Sequence, residues 1–151
     1  MTVRKAKLTD IGAIYAIVVA AWAESPFGHI PLNELKTRHM IRDHIKHENS
    51  CCYVSLDDGG IDGVVGGSLA TMLSTDAIAS HNTLLYGKQG KKLLQKYTRW
   101  AEKKGAVAIG FDQSFGKRTE AITKFAKTQG YQHIGGLHVY IPENQELTGV
   151  A

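Results

Sequence analysis

The sequence predicts a single α/β domain, a central mixed β-sheet flanked by helices on both faces. Three observations predict it. The chain has 151 residues, 43% hydrophobic and 21% charged, which is enough to bury one core and too apolar for a disordered chain. Segments with helical spacing alternate with strand-length runs in the order β-α-α-β-β-β-α-β-α-β-β. The run Ala106 to Phe111 is apolar and bounded by turn signals, as in strands buried within sheets covered on both faces. The domain is expected over residues 1–142, with a polar tail over 143–151.

Val3 to Ala6 reads as a short strand. Thr9 is an expected N-cap, with Asp10 in the first helical turn. Ile11, Ile14, Ile17, Val18, Ala21 and Trp22 then fall on one face of a helix, which Glu24-Ser25-Pro26-Phe27-Gly28 breaks. A second helix fits Leu32 to His47, with a thin stripe of Ile41 and Ile45. Cys51 to Leu56 and Ile61 to Thr71 form a hairpin about the turn Asp57-Asp58-Gly59-Gly60. Three glycines in the return strand predict a bulge or close packing. Residues 72–83 carry no clear pattern, and Leu84-Leu85-Tyr86 reads as a short strand. Leu93, Leu94, Tyr97, Trp100 and Ala101 make the apolar stripe of a basic helix from Lys91 to Lys104, closed by Gly105. Lys117 to Gln129 is a further helix closed by Gly130. Tyr131 to Ile134 and His138 to Ile141 are the expected last strands.

Composition narrows the function classes. No apolar run reaches 18 residues, so no membrane span is expected, and the opening MTVRKAKLTD lacks the apolar stretch of a secretory signal. The only cysteines, Cys51 and Cys52, are adjacent on a strand and point to opposite faces. A mutual disulfide would be strained, and unpaired thiols fit a reducing cytoplasm. The seven histidines include His39, His44 and His47 on the second helix. With no HExxH pattern or cysteine partner they read as solvated, and no metal is expected. Net charge is +4, unevenly spread: residues 87–104 hold seven Lys or Arg against one acid. That segment can attract a nucleotide phosphate, nucleic acid or an acidic partner, or simply be a solvated helix face.

Tyr86-Gly87-Lys88-Gln89-Gly90 joins a strand to the start of the basic helix. Backbone N–H groups and the helix dipole point at such a loop, so it can hold a pyrophosphate. Gly87 and Gly90 allow close approach, and Lys88, Lys91 and Lys92 add charge. The alternative is an ordinary turn with surface lysines.

The element order and four local matches over residues 3–141 resemble the GNAT N-acetyltransferase superfamily. Val3-Arg4-Lys5-Ala6 with Asp10 and Ala13-Ile14 looks like its opening strand and helix. Asp58-Gly59-Gly60-Ile61-Asp62-Gly63-Val64-Val65-Gly66 looks like its central hairpin. Gly90-Lys91-Lys92-Leu93-Leu94, with Trp100-Ala101 and Gly105-Ala106 after it, looks like the end of its acyl-CoA signature. The segment Phe125 to Tyr131, ending Gly130-Tyr131, looks like its closing helix. The resemblance implies acetyl-CoA as co-substrate, bound by Leu85, Tyr86, Gly87, Lys88, Gln89, Gly90, Lys91 and Lys92. It also implies a pantetheine arm in a gap between the strand ending at Tyr86 and Ala106 to Phe111.

Three positions depart from the family pattern. Leu85 stands where its loop has Arg or Gln, and Lys88 where it has the central Gly. Ala126 stands where many members carry a Tyr that protonates the leaving thiolate. Acyl transfer still needs a neutral amine. Asp112, at a strand end beside the gap, is the first candidate base, although strand-end acids are commonly turn residues. His138 and Tyr140, two apart on one face, are further catalytic candidates, with a core or surface role as the alternative. Trp22, Glu24, Ser25 and Phe27 lie in the connection that walls the acceptor site in the family, or else simply end the helix.

Three functions follow. The first is an acyl-CoA-dependent N-acyltransferase acting on a small-molecule or protein amine. The second is a GNAT-fold protein without catalysis, since short, degenerate chains of this kind look similar to bacteriophage-encoded members, some of them virion-associated. The third is a nucleic-acid-associated acyltransferase toxin, disfavoured because Tyr97 and Trp100 lie on the apolar stripe. The family also implies a possible homodimer or larger protein assembly.

Overall fold

The structure is a computed structural model that describes residues 2–112, 119–135, 140 and 142. Strand β1 (Thr2–Lys5) leads through a short 3-10 turn (Leu8–Asp10) into α1 (Ile11–Glu24) and α2 (Glu34–Lys46). Strands β2 (Ser50–Asp57), β3 (Gly60–Thr71) and β4 (Ile78–Gly87) follow, then α3 (Gly90–Lys103), β5 (Ala108–Gly110) and α4 (Thr119–Thr128). The five strands lie in the order β1-β2-β3-β4-β5. Neighbours are antiparallel except β4 and β5, which run parallel. The predicted mixed sheet is therefore present.

Strand alternation divides the core into two layers. Cys52, Val54, Val64 and Leu84 face α1 and α2, where they meet Ile14, Val18 and Ile41. Cys51 and Val65 face the other way and meet Leu93, Leu94 and Tyr97 of α3. The adjacent cysteines thus serve opposite layers as free, buried thiols. The β3 glycines admit these layers closely. A Cβ on Gly67 would strike the Tyr97 ring, and one on Gly66 would lie 3.2 Å from the His44 ring.

Local chemistry fixes the ends. Asp10, rather than Thr9, stands at the start of α1. Its carboxylate accepts from the Lys7 N–H at 2.7 Å and takes both ends of the Arg4 guanidinium, at 2.7 and 3.0 Å. This bidentate pair holds the Asp10 carboxyl below its usual range, with the Arg4 hydrogen bond as the largest cause. Asn33 caps α2 by accepting from the Lys36 N–H at 2.9 Å.

Three expectations need correction. Strand β4 begins at Ile78, well before Leu84. Its first half is polar and shows no alternation, and it is held by pairing with β3 instead. Strand β5 is shorter than Ala106 to Phe111 and half-covered, with Val107 69% exposed. No strand forms over Tyr131 to Ile134. Tyr131 is instead drawn onto α3 and β5: its hydroxyl meets Thr98 at 2.7 Å and its ring meets Phe111 edge-on at 5.7 Å. His138 lies outside the described residues, and Tyr140 is 84% exposed. No described helix is long and apolar enough to cross a membrane.

Candidate functional site

Strands β4 and β5 pair only at Ala79–Ala108, Ser80–Ile109 and His81–Gly110. Among the described residues, β4 continues beyond that point to Gly87 along β3 with no partner from β5. A gap therefore opens between the two parallel strands. Alternate β4 backbone groups from Asn82 onward point into it. The cause is visible in the register: Gly66 pairs with Leu84 and Gly67 with Asn82, so Thr83 is the extra residue of a β-bulge. A bulge bends its strand and increases twist, which turns β4 away from β5.

Three hydrogen bonds pin the apex of the gap. The Asn82 carbonyl Oδ1 accepts from the Asp112 N–H at 2.7 Å. On the α3 side the Tyr97 hydroxyl bonds with the Gly110 carbonyl at 2.8 Å and the Ser80 hydroxyl at 3.0 Å, so one side chain spans both strands. Burial pushes this phenol well above its ordinary pKa and keeps it neutral. A cavity of about 300 Å³ lies beside the apex, lined by His81, Asn82 and Asp112 and, from α4, by Thr123, Ala126 and Lys127.

The β4–α3 loop stands at the far end of the gap. Gly87 has φ +106°, and a Cβ there would overlap the Asp62 carbonyl and the Gly63 Cα. The loop is thereby pressed onto β3, and the Lys88 N–H also points to the Asp62 carbonyl at 3.4 Å. Helix α3 makes its first i to i−4 bond from Leu93 to Gln89. The N–H groups of Gly90, Lys91 and Lys92 thus have no acceptor within the helix, and Gln89 offers no side-chain cap. The space where a Gly90 Cβ would stand is open. Lys88, Lys91 and Lys92 are exposed. Tyr86 packs into the α1–α2 layer and Leu85 into the α3 layer, and burial raises the Tyr86 pKa.

The other predicted residues sit apart from this loop. Trp22 stacks on Phe27 with centroids 6.3 Å apart and donates to the Ile30 carbonyl at 2.7 Å. Ser25 is buried; its hydroxyl donates to the Trp22 carbonyl and accepts from the Phe27 N–H. Glu24 is exposed at the end of α1. Ala126 lines the cavity with a methyl group. Tyr97 is fully buried and stacks on the half-buried Trp100 with ring centroids 6.2 Å apart. Among the described residues no three His, Cys, Asp or Glu side chains gather as for a metal.

Sequence reasoning missed four residues around the apex: His44, His81, Asn82 and Thr83. His44 is not solvated. It is 7% exposed, with Nδ1 2.8 Å from the Met40 carbonyl and Nε2 2.6 Å from the Thr83 hydroxyl. One signal was available, since His44 lies three residues after Ile41 on the buried stripe.

No protein-family model and no curated protein sequence matches the chain, but solved structures do. An aminoglycoside N-acetyltransferase in complex with CoA superposes with a TM-score of 0.71 at 14% identity, covering 94% of each chain. An aminoglycoside acetyltransferase from an uncultured soil metagenomic sample, in complex with sisomicin, gives 0.68 at 14% identity over 93% of this chain and 95% of that one. Glucosamine-6-phosphate N-acetyltransferase from Arabidopsis thaliana gives 0.68 at 12% identity over 93% and 97%. The chain has the GNAT acetyltransferase fold. At these identities the likeness is one of architecture.

Proposed function

We propose that the chain is an acyl-CoA-dependent N-acyltransferase that moves an acetyl group from acetyl-CoA to an amine. One observation carries this reading: β4 leaves β5 at His81–Gly110, and α3 begins directly after the freed stretch. That arrangement supplies what a long thioester needs, a slot for its arm and an N–H cluster for its diphosphate. The CoA complex among the similar structures supports the same choice of co-substrate.

In this reading the N–H groups of Gly90 to Lys92 bind the diphosphate. Gly87 and Gln89 shape the loop, and Lys88, Lys91 and Lys92 neutralise phosphate charge. Leu85 and Tyr86 keep the loop clear by filling the two core layers. Free β4 N–H groups polarise the thioester carbonyl as charge develops on its oxygen. Asp112, on the cavity rim, draws in the ammonium form of the acceptor and takes its first proton. The connection bearing Trp22, Glu24, Ser25 and Phe27 walls the acceptor side, and Tyr140 and His138 are further candidates to meet the acceptor. Ala126 offers no proton, so the CoA sulfur leaves as a thiolate. The acceptor class is a small-molecule or protein amine, in the cytoplasm.

A second reading is a GNAT-fold binding protein without turnover, and Ala126 in the cavity wall favours it. One pair of measurements separates the two. Acetyl-CoA at 100 times its dissociation constant is expected to stabilise the fold by about 2.7 kcal/mol, read as a rise in melting temperature. CoA thiol release with sisomicin, glucosamine 6-phosphate or a lysine-containing peptide then reports turnover. No shift at millimolar acetyl-CoA overturns the acyltransferase reading and favours the non-catalytic one, and a melting shift without thiol release favours a protein that binds acetyl-CoA without turnover.

A further inference from the structure

Acylation of an ammonium ion releases two protons, one before attack and one from the nitrogen after it. Asp112 serves the first. We infer that the second leaves through the Thr83 hydroxyl to His44, a hydroxyl–imidazole relay built into the β4 bulge. This inference rests on the acyltransferase reading.

The geometry fixes the state of the ring. His44 Nδ1 faces the Met40 carbonyl at 2.8 Å, and a carbonyl only accepts, so Nδ1 carries a hydrogen. In the neutral ring Nε2 is then a lone pair, and it lies 2.6 Å from Thr83 Oγ1. The Thr83 hydroxyl therefore donates to Nε2. The Met40 carbonyl orients the ring as a third group orients the base in other hydroxyl–imidazole pairs. His44 is buried, and Gly66 leaves room for its ring against β3. Thr83 is exposed. The pair thus joins an interior base to a surface hydroxyl.

The site also accommodates the proton once it has moved. Protonated His44 donates from Nε2 to Thr83 Oγ1. The Thr83 hydroxyl hydrogen then turns to the Gly66 carbonyl, 3.4 Å away. Ser68 Oγ, 3.5 Å from Nε2, is a further polar neighbour. Both charge states therefore find partners without moving the backbone. A purely structural threonine would need only one of them.

Thr83 is the residue at which β4 bulges, just where β5 leaves it, and its hydroxyl stands on the α2 face, outside the residues that line the cavity. The step balances as follows. The amine lone pair forms the bond to the acyl carbon, and the carbon–sulfur bond breaks with its electron pair going to sulfur. The nitrogen proton passes to Thr83 Oγ1 as the Thr83 proton passes to His44 Nε2. His44 later returns a proton to solvent. Thr83 is the catalytic residue, and His44 acts through it as a positioning and proton-holding residue.

The test uses the full chain with acetyl-CoA and the three amines named above. Thr83→Val keeps the shape and removes the hydroxyl. It is expected to lower kcat by about 10²-fold or more, with the acetyl-CoA KM and melting shift unchanged. Thr83→Ser is expected to remain within about tenfold of the wild type, because it restores the hydroxyl. His44→Gln is expected to fall as far as Thr83→Val, and the double variant no further, since the two act as a unit. A Thr83→Val protein with wild-type kcat overturns the relay, and so does Thr83→Ser falling as far as Thr83→Val. Should His44→Gln fail to fold, the two surface Thr83 variants decide. A wild-type chain with neither melting shift nor thiol release overturns the acyltransferase reading itself, and the relay with it.

Discussion

Tyr97 shows how much one side chain can settle. Its ring fills the α3 layer, and its hydroxyl bonds with one group on β4 and one on β5 at the point where the strands part. Removing that oxygen leaves the Ser80 hydroxyl and the Gly110 carbonyl short of a partner in a buried place. Each such loss costs about 1–3 kcal/mol. Tyr97→Phe is therefore expected to lower the unfolding free energy by about 1–3 kcal/mol, read from a urea titration. It should also weaken acetyl-CoA binding, because β5 loses its tie at the apex. Unchanged stability would show that the hydroxyl contributes nothing there. The sequence made Tyr97 a core residue from its place on the stripe. Its hydroxyl partners were not legible, since they lie on strands 17 and 13 residues distant.

At the scale of elements, the loop between β4 and α3 depends on one backbone conformation. Gly87 combines a left-handed φ with a position where any Cβ would overlap β3. Gly87→Ala is expected to destabilise by more than about 1 kcal/mol, because both strain and overlap must be relieved. The melting shift with acetyl-CoA should fall with it. Gly90→Ala is the contrast, as open space surrounds that position and its φ is not left-handed. A mild effect on stability is expected, read in the same urea titration. The glycines and lysines of this loop were legible because turn chemistry and charge are local. Strand β4 was only half legible. Its outer half is the apolar run Leu84-Leu85-Tyr86, whereas Ser80 to Thr83 are polar and serve hydrogen bonds that no periodicity announces. The predicted strand Tyr131 to Ile134 is absent for a related reason, since Tyr131 is held by the Phe111 ring and the Thr98 hydroxyl rather than by a strand partner.

At the scale of the molecule, two layers share one sheet, and each carries groups that limit stability in pH. Asp10 is held below its ordinary pKa by Arg4, so its contribution is complete above about pH 4 and is lost as pH falls below that. Cys51 and Cys52 are pushed up to about 12 by burial, one in each layer. Their contribution is complete below the unfolded thiol value, near pH 8.5, and is lost as pH rises toward 12. Urea midpoints across pH are therefore expected to fall on both sides of a plateau. Asp10→Asn should flatten the acid side and Cys52→Ala the alkaline side. An alkaline side unchanged by Cys52→Ala would mean that its thiol does not ionise on unfolding in that range.

The sequence by itself determined the mixed sheet with helices on both faces, the central hairpin and the basic helix with a glycine turn ahead of it. Those features follow from periodicity and turn chemistry, which act over a few residues. Only the tertiary structure decided where β4 leaves β5, because that follows from one bulged residue in the register with β3. It alone brought His44 to Thr83, 39 residues apart in the chain. Hydrogen bonds between distant elements leave no local pattern, so a buried histidine on a thin helical stripe reads as a surface one until the sheet beneath it is known.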